Sequence, residues 1–252
     1  MFESLGNRLR QYANKDGRGY PDWAMRYAPV ARKLAQMNAT NRLILEVGAN
    51  ENGIARFVDA AVVAVDVSAD HLRSARASQG VLVVVADAAA LPFADETFAA
   101  GVCMDTLEHV SAGNRERVCD ELVRTVRESG FSVVAFPSGA AAERAERAIR
   151  AAHARYTGGR IPWLDEHVQE GLPDPAGLVA HLMNSVGGTR AVRCTRNANV
   201  YVWRAMWRVL ACGWPGRGNA VLQAALRFLT PVLSRIHVGP CYRSMIWVAP
   251  RS

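Results

Sequence analysis

From residue 42 onward the chain alternates short, β-branched apolar runs with longer helical patterns, and this alternation restricts its fold more than any other feature. Such runs are buried on both faces only as strands of a mostly parallel sheet, each followed by a covering helix. The expected strands are RLILEV (42–47), AVVAVDV (61–67), VLVVVAD (81–87), FAAGVCMD (98–105) and FSVVAFP (131–137). Ser68 is placed to cap the helix carrying His71, Leu72 and Ala75, and Ser111 to start one running to Glu128, which Gly130 then stops. Residues 1–38 read as two helices broken at KDGRGYPD, the second opened by Pro21. After the fifth strand, residues 139–171 are Ala/Arg/Glu-rich and helical. Pro175 opens a further helix over 175–186 that Gly187 and Gly188 end. A strand near 189–197, an apolar helical stretch over 200–235 and a final strand, CYRSMIWVAP (241–250), complete the chain. The reading is a single domain over 1–252: an N-terminal helical cap (1–38), a core (40–138), a helical insertion or lid (139–188) and an apolar helical insertion (198–240).

Half of the 252 residues are hydrophobic and 21% are charged, enough to bury a core and too apolar for global disorder. No basic N-terminus precedes an apolar stretch, and no run approaches the roughly 18 apolar residues of a membrane span, so a cytoplasmic protein is expected. The five cysteines are scattered with no CxxC pair, which predicts free thiols and offers no zinc site; no metal-ligand set is read from the sequence. The net charge of +7 rests almost wholly on arginine, Lys15 and Lys33 being the only lysines. The arginines are dispersed, and the basic stretches at 73–76 and 143–150 read as solvated helix faces. No nucleic-acid partner is expected from them.

The first strand runs into EVGANENGIARF (46–57). Written as Gly48-x-Asn50-x-x-Gly53, this is a dinucleotide fingerprint whose middle glycine is replaced. That glycine lets backbone touch a pyrophosphate, and an asparagine there crowds phosphates while still tolerating a left-handed bend. Glu46, at the strand end, repels a diphosphate and attracts a cationic ligand. Asp66 ends the second strand, where an acidic side chain accepts both hydrogen bonds of a ribose diol. Asp87, ending the third, is placed to accept from the exocyclic amine of an adenine. Asp66 as a cap and Asp87 as a turn residue are the plainer alternatives. The loop suits a positively charged nucleoside better than a dinucleotide.

LILEVGANENGIARF, VVAVDVS, VADAAALPFADETFAAGVCMDTLEHV and ELVRTVRESGFSVVAFPSG together resemble the class I S-adenosylmethionine-dependent methyltransferases, over about residues 40 to 138. The most specific parts are LPFADETF and LEHV in this order, as in the small-molecule, type 11-like branch. Asn50 and Asn52 stand where the family loop has glycine, and Ala99 where it usually has aspartate. The resemblance implies a Rossmann-like α/β fold: a seven-stranded, mostly parallel sheet with the last strand antiparallel. Helical insertions would follow strand 5 and separate strands 6 and 7. It implies the cofactor S-adenosyl-L-methionine, its methionine end and ribose held by Glu46, Gly48 and the backbone of Ala49 and Asn50. Asp66 would bind the ribose hydroxyls, with Val67 beside the adenine and Asp87 and Ala88 at its edge. Asp105 would stand near the methionine moiety. A helix like that carrying Tyr20 and Trp23 often folds over the cofactor in this class, although packing is the plainer account of the pair.

The sulfonium is already a strong electrophile, so an enzyme of this kind mainly aligns an acceptor and excludes water, with a base to assist a hydroxyl acceptor. His109, just after the fourth strand in DTLEHV, is the first candidate base; His167, in WLDEHVQEG, is the second. Glu108 reads equally as a cap. The apolar stretch 200–235, with Arg204 and Arg208 one turn apart, has three readings: packing on its own domain or in a homodimer, a wall for an apolar acceptor, or docking on a membrane surface. Its helices are too short to span, 15 residues rising roughly 22 Å against about 30 Å of hydrocarbon. The sequence thus favours methyl transfer to a small-molecule or lipid-like acceptor, at oxygen. An NAD-dependent oxidoreductase, an RNA methyltransferase and a catalytically weak cofactor-binding partner subunit are the rivals.

Overall fold

A computed structural model describes residues 20–36, 43–49, 53–75, 80–212, 225, 228–229, 232–233 and 235–251. In chain order the elements are α1 (Tyr20–Gln36), β1 (Ile44–Val47), β2 (Val62–Asp66), α2 (Ala69–Ala75), β3 (Val81–Val85), β4 (Phe98–Met104), α3 (Arg115–Arg124), β5 (Val126–Pro137), α4 (Gly139–Thr157), α5 (Pro162–Glu170), α6 (Pro175–Ser185), β6 (Arg190–Asn199), α7 (Val200–Cys212) and β7 (Cys241–Pro250). The seven strands lie in the order β3-β2-β1-β4-β5-β7-β6. β7 runs antiparallel to both its neighbours while the other pairs are parallel, as the family resemblance implies. The first of the two expected N-terminal helices lies outside the described residues.

Strand periodicity sorts the core. Leu45 and Val47 of β1, with Val63 and Val65 of β2, face the cluster covered by Val118, Cys119 and Leu122 of α3. Ile44 and Val62 point the other way, beneath Tyr27, Val30 and Leu34 of α1. Glu46 shares the parity of Ile44 and is therefore turned under α1. A third apolar cluster, with Ala145 and Ile149 of α4, Leu164 of α5 and Trp203 and Met206 of α7, closes on Tyr242 of β7 and Met25 of α1.

Three expectations are corrected. The helix after Ser111 begins as a short 3-10 turn, Ala112–Asn114, becomes α3 at Arg115 and ends at Arg124, not Glu128. Ser111 makes no capping bond there. Gly130 does not stop a helix; it lies inside β5, where the register against β4 shifts between Phe98 and Ala100. A Cβ on Gly130 would stand 2.3 Å from the Ala99 carbonyl, so the bulge admits only glycine. Arg-rich 143–150 is not wholly a solvated face, because Glu146 is 4% exposed. The alternation in α7 resolves the all-round apolarity of 200–212: Trp203 and Met206 are buried, Tyr201, Arg204 and Arg208 exposed. Most of its expected hairpin partner lies outside the described residues. Cys103, Cys119, Cys194 and Cys241 are free thiols. Among the described residues no helix is long and apolar enough to cross a membrane.

Candidate active site

The loop after β1 is held from within. Both carboxylate oxygens of Glu46, 2% exposed, accept from the Ile54 N–H at 2.8 and 2.9 Å. Gly53 makes room, since a Cβ there would meet Glu46 Oε2 at 2.1 Å. Burial raises the Glu46 carboxyl to about 7, against the pull of the Ile54 N–H, the Tyr27 hydroxyl and Arg26. Glu46 thus occupies a different position from the one expected of a direct cofactor ligand. Gly48 has φ +71 and packs so closely on Thr106 that a Cβ would lie 2.0 Å from its Oγ1. Glycine is needed there on both counts. Ala49 is buried; Asn50 lies outside the described residues, as does the side chain of Tyr20.

Asp66 and Asp87 follow at the neighbouring strand ends. Asp66 Oδ1 accepts from the Ser68 N–H at 2.8 Å and meets His71 Nδ1 at 3.2 Å. Asp87 Oδ1 accepts from the Ala89 N–H at 2.8 Å. Each aspartate therefore caps its own turn, and its Oδ2 accepts no hydrogen bond among the described residues. Val67 is 77% exposed, an apolar side chain standing free beside the Asp66 carboxylate, and Ala88 is half-buried. The three acidic groups lie at successive strand ends, as read from the sequence, with Glu46 turned inward and Asp66 and Asp87 at the rim.

Beyond β4 the site deepens into a cavity of about 270 Å³. Asp105, φ +50, binds no loop amide. Its carboxylate accepts from Arg243 Nε at 2.8 Å to each oxygen and forms an ion pair with Arg26 Nη2 at 3.0 Å. Arg243 also reaches Asp22 at 3.0 Å, and Arg26 reaches it at 2.8 Å. β7 is antiparallel, so its first residues arrive at the edge where the parallel strands end, opposite Pro137. That reversal delivers Arg243. The four charges cancel in a network whose Asp22 and Arg243 are buried; burial pushes Asp22 up, yet Arg243 and Arg26 hold it below its ordinary value.

The other cavity wall carries the two sequence-selected histidines, which the fold brings together: their ring centroids are 4.8 Å apart. His109 ends the 3-10 turn Leu107–His109, and His167 lies on α5. Arg115 joins the two elements, donating to the Leu107 and Val110 carbonyls at 3.0 Å and to those of Glu170 and Gly171 at 3.0 and 2.6 Å. His109 Nδ1 pairs with Glu166 Oε2 at 2.7 Å, and His167 Nδ1 with Glu146 Oε1 at 2.9 Å. The Tyr242 hydroxyl donates to the same Glu146 oxygen at 2.7 Å. Burial, then the neighbouring His167, lowers the His109 pKa, leaving its ring neutral and basic near pH 7. Glu108 is 1% exposed, and burial together with Asp105 raises its carboxyl well above the ordinary range. Trp163, Trp203 and Trp207 complete the wall. Trp203 stacks on Tyr242 with centroids 3.7 Å apart.

Sequence reasoning missed Asp22, Arg26, Arg115, Glu146 and Arg243. Two had a usable signal. Arg243 is the lone charge in an otherwise apolar closing strand, and Arg115 opens a helix, where a cation opposes the dipole unless something else holds it.

Residues 45–134 match the model of the methyltransferase domain family. Over these residues the core is similar to that methyltransferase domain family. No curated protein matches the chain, but solved structures do. A Galdieria sulphuraria protein described as a putative sarcosine dimethylglycine methyltransferase aligns at TM-score 0.56 and 12% identity, over 88% of this chain and 83% of that one. Haemonchus contortus phosphoethanolamine N-methyltransferase 2, in complex with S-adenosyl-L-methionine, aligns at 0.54 and 11%, over 89% and 53%. A Burkholderia thailandensis 1,6-didemethyltoxoflavin-N1-methyltransferase, with bound substrate and S-adenosylhomocysteine, aligns at 0.50 and 12%, over 91% and 79%. At these identities the likeness to these structures is one of fold.

Proposed function

We propose that this protein transfers a methyl group from S-adenosyl-L-methionine to a hydroxyl oxygen of a small acceptor seated in the cavity beside His109 and His167. One observation carries the reading: a half-open cavity with His109 and His167 on its wall opens directly off the strand ends of a core similar to methyltransferase domains. The strand ends fit the cofactor. Asp66 and Asp87 each keep a carboxylate oxygen for a ribose or an adenine, and the exposed Val67 offers an apolar surface for the base. Gly48 and Ala49 bring backbone close beneath. Glu46 contributes by fixing the loop through Ile54. Asp105, neutralised by Arg243 and Arg26, shapes the passage between cofactor and acceptor.

When bound, the cofactor supplies an activated methyl group. The chain's own residues then have three tasks: to hold the acceptor in line with it, to keep water out and to take the acceptor's proton. The tryptophan walls suit a flat, apolar acceptor and exclude water. His109, with Nδ1 held by Glu166, keeps its other nitrogen for the proton; His167 is the second candidate for that role. An acceptor with this chemistry is a hydroxylated ring or a lipid-like molecule with a polar head.

Calorimetry with S-adenosyl-L-methionine and with NAD tests the cofactor, and binding of NAD alone overturns the reading. Incubation of the enzyme with methyl-labelled cofactor and a small-molecule extract tests the reaction. Label is expected in a hydroxyl-bearing product and absent from RNA. Cofactor binding with no label in any fraction favours the partner-subunit alternative. His109→Ala should slow transfer at least about tenfold while leaving cofactor affinity unchanged.

A further inference from the structure

Several features of the cavity exceed what a free histidine base requires. One donor atom from each of Glu108, His109 and His167 lies within 4.8 Å of the other two. Glu108 and His167 are 1% and 3% exposed, and Glu108 Oε2 and His167 Nε2 have no hydrogen-bond partner among the described residues. Glu108 Oε1 stands 3.9 Å from that same Nε2, beyond hydrogen-bonding distance. Buried polar atoms rarely stay unpartnered, because their lost hydration is then unrecovered. Here one of them, His167 Nε2, stands close to the carboxylate that carries the other.

The surrounding groups are arranged around these atoms. Each histidine is tied at Nδ1 to a carboxylate, His167 to Glu146 and His109 to Glu166. Such a pairing keeps the proton on Nδ1 and leaves the opposite nitrogen as a lone pair, the arrangement that orients histidines toward metals. Tyr242 fixes Glu146 in turn. Asp105, the next carboxylate, is taken up by Arg243 and Arg26, so Glu108 is the acidic group left over, with no guanidinium hydrogen-bonded to it among the described residues.

We propose that Glu108, His109 and His167 bind a divalent transition-metal cation, which receives the acceptor's oxygen as a further ligand. Two imidazoles and one carboxylate suit zinc, cobalt, manganese or iron(II) better than magnesium or calcium, which favour all-oxygen shells. Three protein ligands leave a position open, as catalytic sites require. Around an ion with bonds of about 2.1 Å, ligand atoms stand roughly 3–3.5 Å apart, so binding draws the cluster together by about an ångström. Binding itself is independent of the methyltransferase reading; only the ion's role rests on it. In the loaded site His109 is a ligand, and the cation's charge lowers the acceptor hydroxyl's pKa. The proton leaves to water, an O–CH3 bond forms as S–CH3 breaks, and no oxidation state changes.

The test uses untagged, chelator-stripped protein titrated with Co²⁺ and Zn²⁺. One ion per chain should bind, with a visible d–d absorption for Co²⁺, and Mg²⁺ should bind at least a hundredfold more weakly. Glu108→Gln and His167→Asn should each weaken Co²⁺ binding more than tenfold. Both should keep the wild-type affinity for S-adenosyl-L-methionine, which serves as the check on folding. Failure of the wild-type protein to bind Co²⁺ stoichiometrically overturns the proposal, as does binding indifferent to both substitutions. Methyl transfer by metal-free protein, unaffected by chelator, also overturns it while the proposed function stands. Stoichiometric Co²⁺ with its absorption band in a protein that binds no S-adenosyl-L-methionine leaves the metal site standing and removes the function.

Discussion

The two halves of the crevice satisfy their charges at very different ranges. At the ends of β1, β2 and β3 each acidic side chain is answered nearby: Glu46 by Ile54 eight residues on, Asp66 by Ser68 and Asp87 by Ala89, each two residues on. Beyond β4 the partners are distant in sequence. Arg243 reaches back 138 residues to Asp105 and 221 to Asp22, His109 meets Glu166 across 57 residues, and Tyr242 meets Glu146 across 96. Local answers build autonomous turns, and at Asp66 and Asp87 they leave one carboxylate oxygen for a ligand. Distant answers build a deeper cavity whose integrity depends on the whole fold. The cofactor half should therefore lose affinity when altered, and the acceptor half should lose stability.

The largest effect should come from Arg243. Arg243→Met leaves Asp22 and Asp105 sharing Arg26 alone inside the protein, and removal of one member of a buried charge network costs on the order of 3 kcal/mol. Chemical denaturation should show that loss. A midpoint unchanged from wild type breaks the comparison, because it means the acceptor half does not depend on its long-range charges.

In the cofactor half the largest expected effect is at Gly48. Gly48→Ala places a methyl against Thr106 in a left-handed backbone, and cofactor affinity should fall about a hundredfold, some 2.7 kcal/mol. Thr106→Gly in the same chain removes the clash but not the backbone strain of roughly 1–2 kcal/mol. The double variant should recover about tenfold of the affinity. Full recovery shows the clash to be the whole effect.

The same division explains what the sequence makes legible. Strand ends, their acidic residues and the glycines sit inside motifs a few residues long, so the order β1 to β5, the cofactor crevice and the histidine after β4 are readable from local pattern. The sixth and seventh strands follow from the family resemblance together with their apolar runs. Arg243 meets Asp105 only because β7 enters the sheet in reverse, and Glu146 meets His167 only because α4 and α5 fold back over the strand ends. Neither contact has a local signature, and Glu146 in particular looks like one more charge on a solvated helix. Even at the legible end, the direction in which Glu46 faces has no signature in the loop motif. The parity it shares with Ile44 points it under α1.

A smaller effect tests the cofactor half for locality. Asp66→Asn retains an oxygen for the Ser68 N–H but replaces the second acceptor with a donor. Cofactor affinity should drop about tenfold, near 1.4 kcal/mol, while stability stays within about 0.5 kcal/mol, as for surface substitutions. Greater destabilisation than loss of affinity contradicts the assignment of Asp66 to the ligand.

The smallest effect concerns Glu46 and is read through pH. Its ordinary value is 4.5 and its folded value about 7. Between these the folded protein holds a proton that the unfolded chain has released, so the stabilisation is fully present below 4.5 and is lost as pH rises through 7. Glu46→Gln keeps a carbonyl for the Ile54 N–H and removes the titration. The difference in denaturation midpoint between wild type and Glu46→Gln should therefore shrink or reverse steadily across that window, and a flat difference shows Glu46 to be ionised in the fold. The same group reports on the ligand. If the sulfonium approaches Glu46, binding favours the carboxylate and expels its proton near pH 6. The calorimetric heat then changes with the ionisation enthalpy of the buffer. Heat independent of the buffer in wild type means that Glu46 never feels the cofactor's charge and serves only to hold the Ile54 turn in place.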